Sequence, residues 1–254
     1  NSIKIDKKII VTSKDINYSE YSKTNRIVIQ NDQLGTANAV IQTKNELKNF
    51  KGVIIICFAD TPFITKKTIK NLIRSVKNGN DIALTSFKKN GKNSYGKIIL
   101  SQDNKPIKIT EDRNSKLDTL LCNGGIIAFK SDIIFNLLSK IKPDDITKEY
   151  YLTEVVEIAA QNDLKIDLIH IEEQEILGVN SREDLALAEK IIQTKLRHFF
   201  LNQGVTLIDP ETNYFSYDTI IEKDVTIFPN VFIGEGVKIQ SGSSILPFCH
   251  LANC

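Results

Sequence analysis

The stretch Gln30-Asn-Asp-Gln-Leu-Gly-Thr-Ala-Asn-Ala-Val40, followed about one helix later by Val53-Ile-Ile-Ile-Cys-Phe58 and Ala59-Asp60-Thr61-Pro62, decides the fold class. A polar turn carrying glycine leads into a helical segment, and an apolar run long enough for one buried strand then ends in a carboxylate. That is the layout of a nucleotide and metal site on an α/β sheet, where ligands gather at the carboxyl ends of strands. Asp60 sits at such an end.

The rest of the first 200 residues repeats the alternation of β-rich runs and helical stretches, which predicts a parallel or mixed sheet covered by helices. Strands are expected at 26–30, 53–58, 81–87, 96–100, 107–110, 125–129 and 165–171. Helices are expected over 37–49, over 66–77 ending at Asn78-Gly79, over 132–141 with Ser131 as cap, over 152–161, and over about 182–199. The last begins Ser181-Arg-Glu-Asp184, close to a capping box with Asp in place of Glu or Gln.

After Gly204 the period changes. Ile221, Ile227, Ile233, Ile239, Ile245 and Leu251 recur every six residues, with Val225, Val231 and Val237 in a second register. A six-residue period is that of hexapeptide repeats, in which three hexads make one triangular coil of a parallel β-helix with the aliphatic side chain inside. A β-meander alternates with period two and leaves this register unexplained. The expected divisions are 1–180 for the sheet domain, 181–203 for a linker helix and 204–254 for the start of the β-helix.

Composition narrows the partners. With 33 Lys and Arg against 31 Asp and Glu, the net charge of +2 creates no field for nucleic acid or anionic lipid. No apolar run approaches the ~20 residues of a membrane helix, and no secretory segment opens the chain. Cys57, Cys122, Cys249 and Cys254 form no C-x-x-C pair, and Cys57 reads as a small hydrophobe within its strand. A cytoplasmic location is expected. His170, His198 and His250 have no metal-ligand spacing. The sequence holds no methionine, and its hexads run to the last residue, so it reads as a processed chain or a fragment.

Several short motifs occur in one order: Gln30–Val40, Phe58-Ala-Asp60, Ser94-Tyr-Gly-Lys97, Ile109-Thr-Glu-Asp-Arg113, Cys122-Asn-Gly-Gly-Ile126, Glu149-Tyr-Tyr-Leu-Thr-Glu154, Leu177-Gly-Val-Asn180 and, before the hexads, Gly204-Val-Thr-Leu-Ile-Asp-Pro-Glu211. Together they resemble the bacterial bifunctional N-acetylglucosamine-1-phosphate uridylyltransferase and glucosamine-1-phosphate acetyltransferase family. The resemblance implies an α/β, Rossmann-like nucleotide-diphospho-sugar transferase sheet, N-terminally truncated, followed by the first coils of a left-handed parallel β-helix. It implies transfer of a uridylyl group from UTP to N-acetylglucosamine 1-phosphate, giving UDP-N-acetylglucosamine, with Mg²⁺ as cofactor and a homotrimer as the full-length assembly.

Residue by residue, the resemblance makes Gln30 and Gln33 readers of the uracil edge, a role an amide suits because it both donates and accepts. It puts Gly35 and Thr36 at the nucleotide, gives Gly96, Glu111 and Asn123 to the sugar phosphate, and makes Asp60 and Asn180 the Mg²⁺ ligands, few enough to leave the hard cation some water. Taken singly, Gln30 and Gln33 read as a solvated loop, Asp60 as a turn or helix cap, and Glu111 as a surface partner of Lys108 or Arg113. Departures from the family also stand out. Arg113 stands where the family has lysine, Phe58-Ala59 replace Tyr-Gly, Gly124 replaces threonine and Asn38 replaces histidine, which together hint at relaxed constraint. No glycine loop for the triphosphate precedes Gln30, so the catalytic residues stay unassigned and the chain alone is expected to turn over weakly or not at all. Two other readings stay open: a non-catalytic remnant that oligomerises through its hexads, and another sugar-1-phosphate nucleotidyltransferase.

Overall fold

A computed structural model describes residues 3–17, 21–90, 93, 95–110 and 121–254. The chain divides into two compact units, Asn1–Leu177 and Gly178–Cys254.

In the first unit, β1 (Ile9–Ser13) and β2 (Arg26–Gln30) pair in parallel, Ile9 opposite Arg26 and Ser13 opposite Gln30. There follow α1 (Thr36–Ile41), α2 (Lys44–Leu47), β3 (Val53–Ile56), α3 (Lys66–Lys77), β4 (Ile82–Lys88), β5 (Lys97–Leu100), β6 (Pro106–Thr110), β7 (Leu121–Lys130), α4 (Ile134–Leu138), α5 (Glu154–Gln161) and β8 (Ile166–His170). The main sheet runs β6-β5-β7-β4-β8, and β3 also lies antiparallel along β7, Ile56 opposite Ile127. It is therefore mixed: β4 pairs with β8 in parallel and with β7 antiparallel.

The near-continuous burial of β4 follows from cover on both faces. Side chains alternate between faces along a strand, and here they sort cleanly. Ile82 and Leu84 of β4 join Ile127 and Phe129 of β7 against α4 and α5, through Ile134, Leu137, Val155 and Ala159. Ala83, Ile126 and Ala128 face the other way, onto Leu72 and Val76 of α3.

Several expected boundaries change. The helix expected over 37–49 breaks into α1 and α2, because Thr43 turns its N–H and its hydroxyl back onto the Val40 carbonyl, at 3.0 and 2.7 Å. The helix expected from 132 begins at Ile134. Ser131, expected to cap it, bonds instead to Gly52, whose N–H it accepts at 3.0 Å. The strand expected over 125–129 starts at Leu121, and the strand through 53–58 stops at Ile56, leaving Cys57 exposed rather than packed in the sheet.

The second unit opens with α6 (Arg182–Asn202), whose capping box is formed by Ser181 and Asp184 in both directions. Eight two-residue strands follow: β9 (Thr206–Leu207), β10 (Tyr214–Phe215), β11 (Ile220–Ile221), β12 (Thr226–Ile227), β13 (Phe232–Ile233), β14 (Lys238–Ile239), β15 (Ser244–Ile245) and β16 (His250–Leu251). They stack into parallel ladders β9-β12-β15, β10-β13-β16 and β11-β14. Phe215 pairs with Ile233 and Ile233 with Leu251, so each rung of the β10-β13-β16 ladder lies three hexads beyond the last.

The hexad aliphatics Ile221, Ile227, Ile233 and Ile239 are buried together with Val225, Val231 and Val237, whereas their strand neighbours Ile220 and Phe232 face outward. Phe200 of α6 belongs to the same cluster. Gln193 of α6 bonds to one strand residue through both ends of its amide: its Nε2 donates to the Phe215 carbonyl at 2.8 Å and its Oε1 accepts the Phe215 N–H at 2.9 Å, while Nε2 also donates to Glu189 Oε1 at 3.0 Å. Among the described residues no helix is long and apolar enough to cross a membrane.

Candidate active site

β2 delivers Gln30 to a tight turn that ends at Gly35. The Gly35 backbone, at φ 95° and ψ 178°, lies in a region essentially reserved for glycine. The turn is strapped from far along the chain. The Tyr150 N–H donates to the Leu34 carbonyl at 2.8 Å, the Ala37 N–H donates to the Tyr150 carbonyl at 2.9 Å, and the Leu152 N–H donates to the Thr36 hydroxyl at 2.9 Å. A Cβ at position 35 would lie 2.7 Å from the Tyr150 oxygen. Within the turn, Gln30 Nε2 donates to the Gly35 carbonyl at 3.1 Å and to Asn38 Oδ1 at 2.8 Å. Gln33 is exposed.

Thr36 also lines a cavity of about 230 Å³ with Phe58, Asn123, Gly125, Tyr151 and Leu152. Asn123, on β7, is held twice: its N–H donates to the Gly96 carbonyl at 2.8 Å, and its Oδ1 accepts the Gly125 N–H at 3.0 Å. The Asn123 carbonyl oxygen is thereby engaged, so the amide offers its N–H groups as donors. The structure thus brings Thr36 and Asn123 to one cavity. Glu111, expected at the sugar, and Arg113 beside it lie outside the described residues.

Beside the cavity, Glu154 opens α5, and burial together with the charges of Glu157 and Asp144 pushes its carboxyl above its ordinary value. Lys97, opposite Cys122 in the sheet, donates from Nζ to Asn93 Oδ1 at 2.6 Å and to Cys122 Sγ at 3.1 Å.

Asp60 follows β3 in a turn stitched by the Thr61 hydroxyl, which donates to the Phe58 carbonyl at 3.0 Å. Its carboxylate is exposed, and no described residue bonds to it. A hard oxygen ligand in this state, with both oxygens unspent, fits a cation that keeps much of its water. No group of three His, Cys, Asp or Glu side chains able to hold a metal occurs among the described residues. Asn180 stands in the second unit, where its N–H donates to Asp184 Oδ2 at 3.1 Å at the head of α6.

Two of the departures noted in the sequence have definite partners. Asn38 receives the Gln30 amide, and Gly124 leaves room for Thr85. A Cβ at position 124 would lie 2.5 Å from Thr85 Oγ1, and that hydroxyl both accepts the Ile126 N–H at 3.1 Å and donates to the Ile126 carbonyl at 3.2 Å. It does so where the β4–β7 register slips between Leu84 and Ser86, in place of the ladder bonds that a bulge forgoes. Sequence reasoning missed three roles at the site: Tyr150 as strap and Tyr151 as cavity wall, although both stand in the Glu149-Tyr-Tyr motif, and Asn38 as amide partner, although it stands in the Gln30–Val40 motif.

Known proteins match this arrangement. The nucleotidyl transferase family covers residues 6–173. The chain is 35% identical over 232 residues to the bifunctional protein GlmU of Paramagnetospirillum magneticum, covering 89% of this chain and 51% of that protein. It is 38% identical over 253 residues to the GlmU of Gluconobacter oxydans, covering 98% and 56%, and 36% identical over 233 residues to that of Wolbachia pipientis wMel, covering 90% and 54%. The chain spans about half the length of these curated relatives. A solved structure of CMP:2-keto-3-deoxy-manno-octonic acid synthetase complexed with CTP shares the fold, with a TM-score of 0.56 at 12% identity over 75% of this chain and 82% of that one. From the turn at Gly35 to the sheet that carries it, the chain belongs to the nucleotidyl transferase family.

Proposed function

We propose that the first unit is the nucleotidyl-transfer part of a uridylyltransferase that joins UTP and N-acetylglucosamine 1-phosphate into UDP-N-acetylglucosamine and diphosphate. A phosphate oxygen of the sugar phosphate attacks the α-phosphorus of UTP. The new P–O bond forms as the bond from the α-phosphorus to the bridging oxygen breaks, and diphosphate leaves with the electron pair. Catalysis of this kind is mainly positioning and charge neutralisation.

The observation that carries the reading is the strapped Gln30–Thr36 turn, whose last residue shares a cavity with Asn123. In this reading Gln30, Gln33 and Gly35 face the base, Thr36 and Asn123 the nucleotide and the sugar, and Gly96 the sugar phosphate with Glu111. Asp60 would hold Mg²⁺, and Asn180 is a proposed second oxygen donor. When bound, the ion would neutralise phosphate charge. The six-residue register and the parallel ladders support a second unit that forms the opening coils of a left-handed β-helix; a homotrimeric assembly and a cytoplasmic location belong to the same proposal and rest on the family resemblance alone. The fold shared with a synthetase that binds CTP leaves base choice to the loop, which favours uridine through its Gln-x-x-Gln-Leu-Gly-Thr order.

Calorimetric titration of the chain with UTP, CTP, ATP and GTP in the presence of Mg²⁺ tests this reading. Heat with UTP and none with the purine nucleotides is expected. A purine nucleotide binding while UTP does not would overturn it.

A further inference from the structure

Gln30 has no choice about which end of its amide it shows. The Gly35 carbonyl can only accept, so the Gln30 atom 3.1 Å from it is the nitrogen. The second proton of that nitrogen goes to Asn38 Oδ1 at 2.8 Å. Asn38 is oriented in its turn by Gln42, whose Nε2 lies 3.3 Å from the Asn38 carbonyl, again an acceptor only, and 3.4 Å from Asn38 Oδ1. Two backbone carbonyls therefore anchor three side-chain amides, and both protons of Gln30 Nε2 are spent inside the loop. Gln30 Oε1 bonds to no described residue.

We infer that Asn38 is a positioning residue that fixes Gln30 as a pure hydrogen-bond acceptor toward the nucleobase, so that the site selects a base by the N–H it presents there. This rests on the uridylyltransferase reading, in which that group is N3–H of uracil. Without Asn38 the Gln30 amide keeps one tether, the Gly35 carbonyl, and can turn. A base that lacks the proton leaves Oε1 desolvated with nothing to accept, which costs more than the hydrogen bond was worth. 3-Methyluracil is such a base: it keeps both carbonyls and carries at N3 a methyl group, which cannot donate and adds bulk, in place of the proton.

The test compares UMP with 3-methyl-UMP, titrated by NMR into the wild-type chain, Asn38→Asp and Asn38→Ala. Aspartate accepts as the Asn38 oxygen does and keeps the tether, while alanine, a better helix former, removes it. The wild type and N38D should bind UMP roughly tenfold more tightly than the methylated nucleotide, and N38A should bring the two within about threefold. Because the ratio compares two ligands on one protein, a general loss of stability or an added charge cancels. An unchanged ratio in N38A would show Asn38 to be merely structural, and a ratio near one in the wild type, which requires no variant, would show that Gln30 does not read N3–H. Either result overturns the inference and leaves the uridine reading standing. Failure of UMP to bind the wild type overturns both.

Discussion

Gly35→Ala puts the candidate loop under the most direct load. Alanine at φ 95° and ψ 178° is strained by about 1–3 kcal/mol before any contact is considered. Its Cβ would also stand 2.7 Å from the Tyr150 oxygen, 2.8 Å from the Tyr150 nitrogen and 3.1 Å from Glu149 Cβ. Neither Tyr150 atom is free to retreat, because one donates to Leu34 and the other accepts from Ala37. If the strap opens to make room, those two hydrogen bonds go, at about 0.5–1.5 kcal/mol each. Strain and lost bonds together come to about 2–6 kcal/mol, a large share of a domain's ~5–15 kcal/mol. Hydrogen exchange at the Ala37 and Tyr150 amides, read with urea unfolding of the same variant, separates the two components. Fast exchange at both amides and a clear loss of stability are expected. Wild-type protection at both, with stability within about 0.5 kcal/mol of the parent, would refute the reasoning.

Gly124→Ala should cost about 1–3 kcal/mol by overpacking against Thr85, and less in a Thr85→Ala background, a coupling that a double-mutant cycle in urea measures. Asp81 is partly buried, which raises its pKa, but the Lys130 ammonium and the Lys165 N–H hold its carboxyl below the ordinary value on balance. Its contribution is therefore present above the unfolded value of about 3.9 and is lost as pH falls through the lower folded value; Asp81→Asn should flatten the melting temperature across that acid range, and an unchanged profile would exclude the pairing as its source. Ile227→Ala, at a position with 0% exposure, should destabilise the ladder stack by about 2–5 kcal/mol, seen as faster amide exchange in the strands either side of β12.

The hexads were legible because two-residue strands leave almost nothing to read except their period, and burial of Ile221, Ile227, Ile233 and Ile239 follows that period directly. Helix α3 was legible for a local reason as well, since Asn78-Gly79 stops it; at its other end Thr65 caps it by accepting the Thr68 N–H at 3.1 Å. What escaped depends on distant partners. Ser131 reads as a cap until Gly52 claims its hydroxyl. Leu121–Gly124 contains weak strand formers, and that half of β7 exists because Phe87 and Lys97 pair across it. β1 carries no turn signal and is defined by its parallel pairing with β2. At the site, the family resemblance pointed to Gln30, Thr36 and Asn123, but the Tyr150 strap and the Asn38 tether are tertiary contacts without a sequence period. Asn38 and Gly124, which read as signs of relaxed constraint, turn out to be matched to Gln30 and Thr85.

A co-crystal structure of the chain with a uridine nucleotide and Mg²⁺ tests the central claim most directly. The account predicts the uracil edge at the Gly35 turn, with N3 within hydrogen-bond reach of Gln30 Oε1, about 2.7–3.2 Å. A uracil ring seated away from that turn, or no bound nucleotide at saturating concentration, would contradict it.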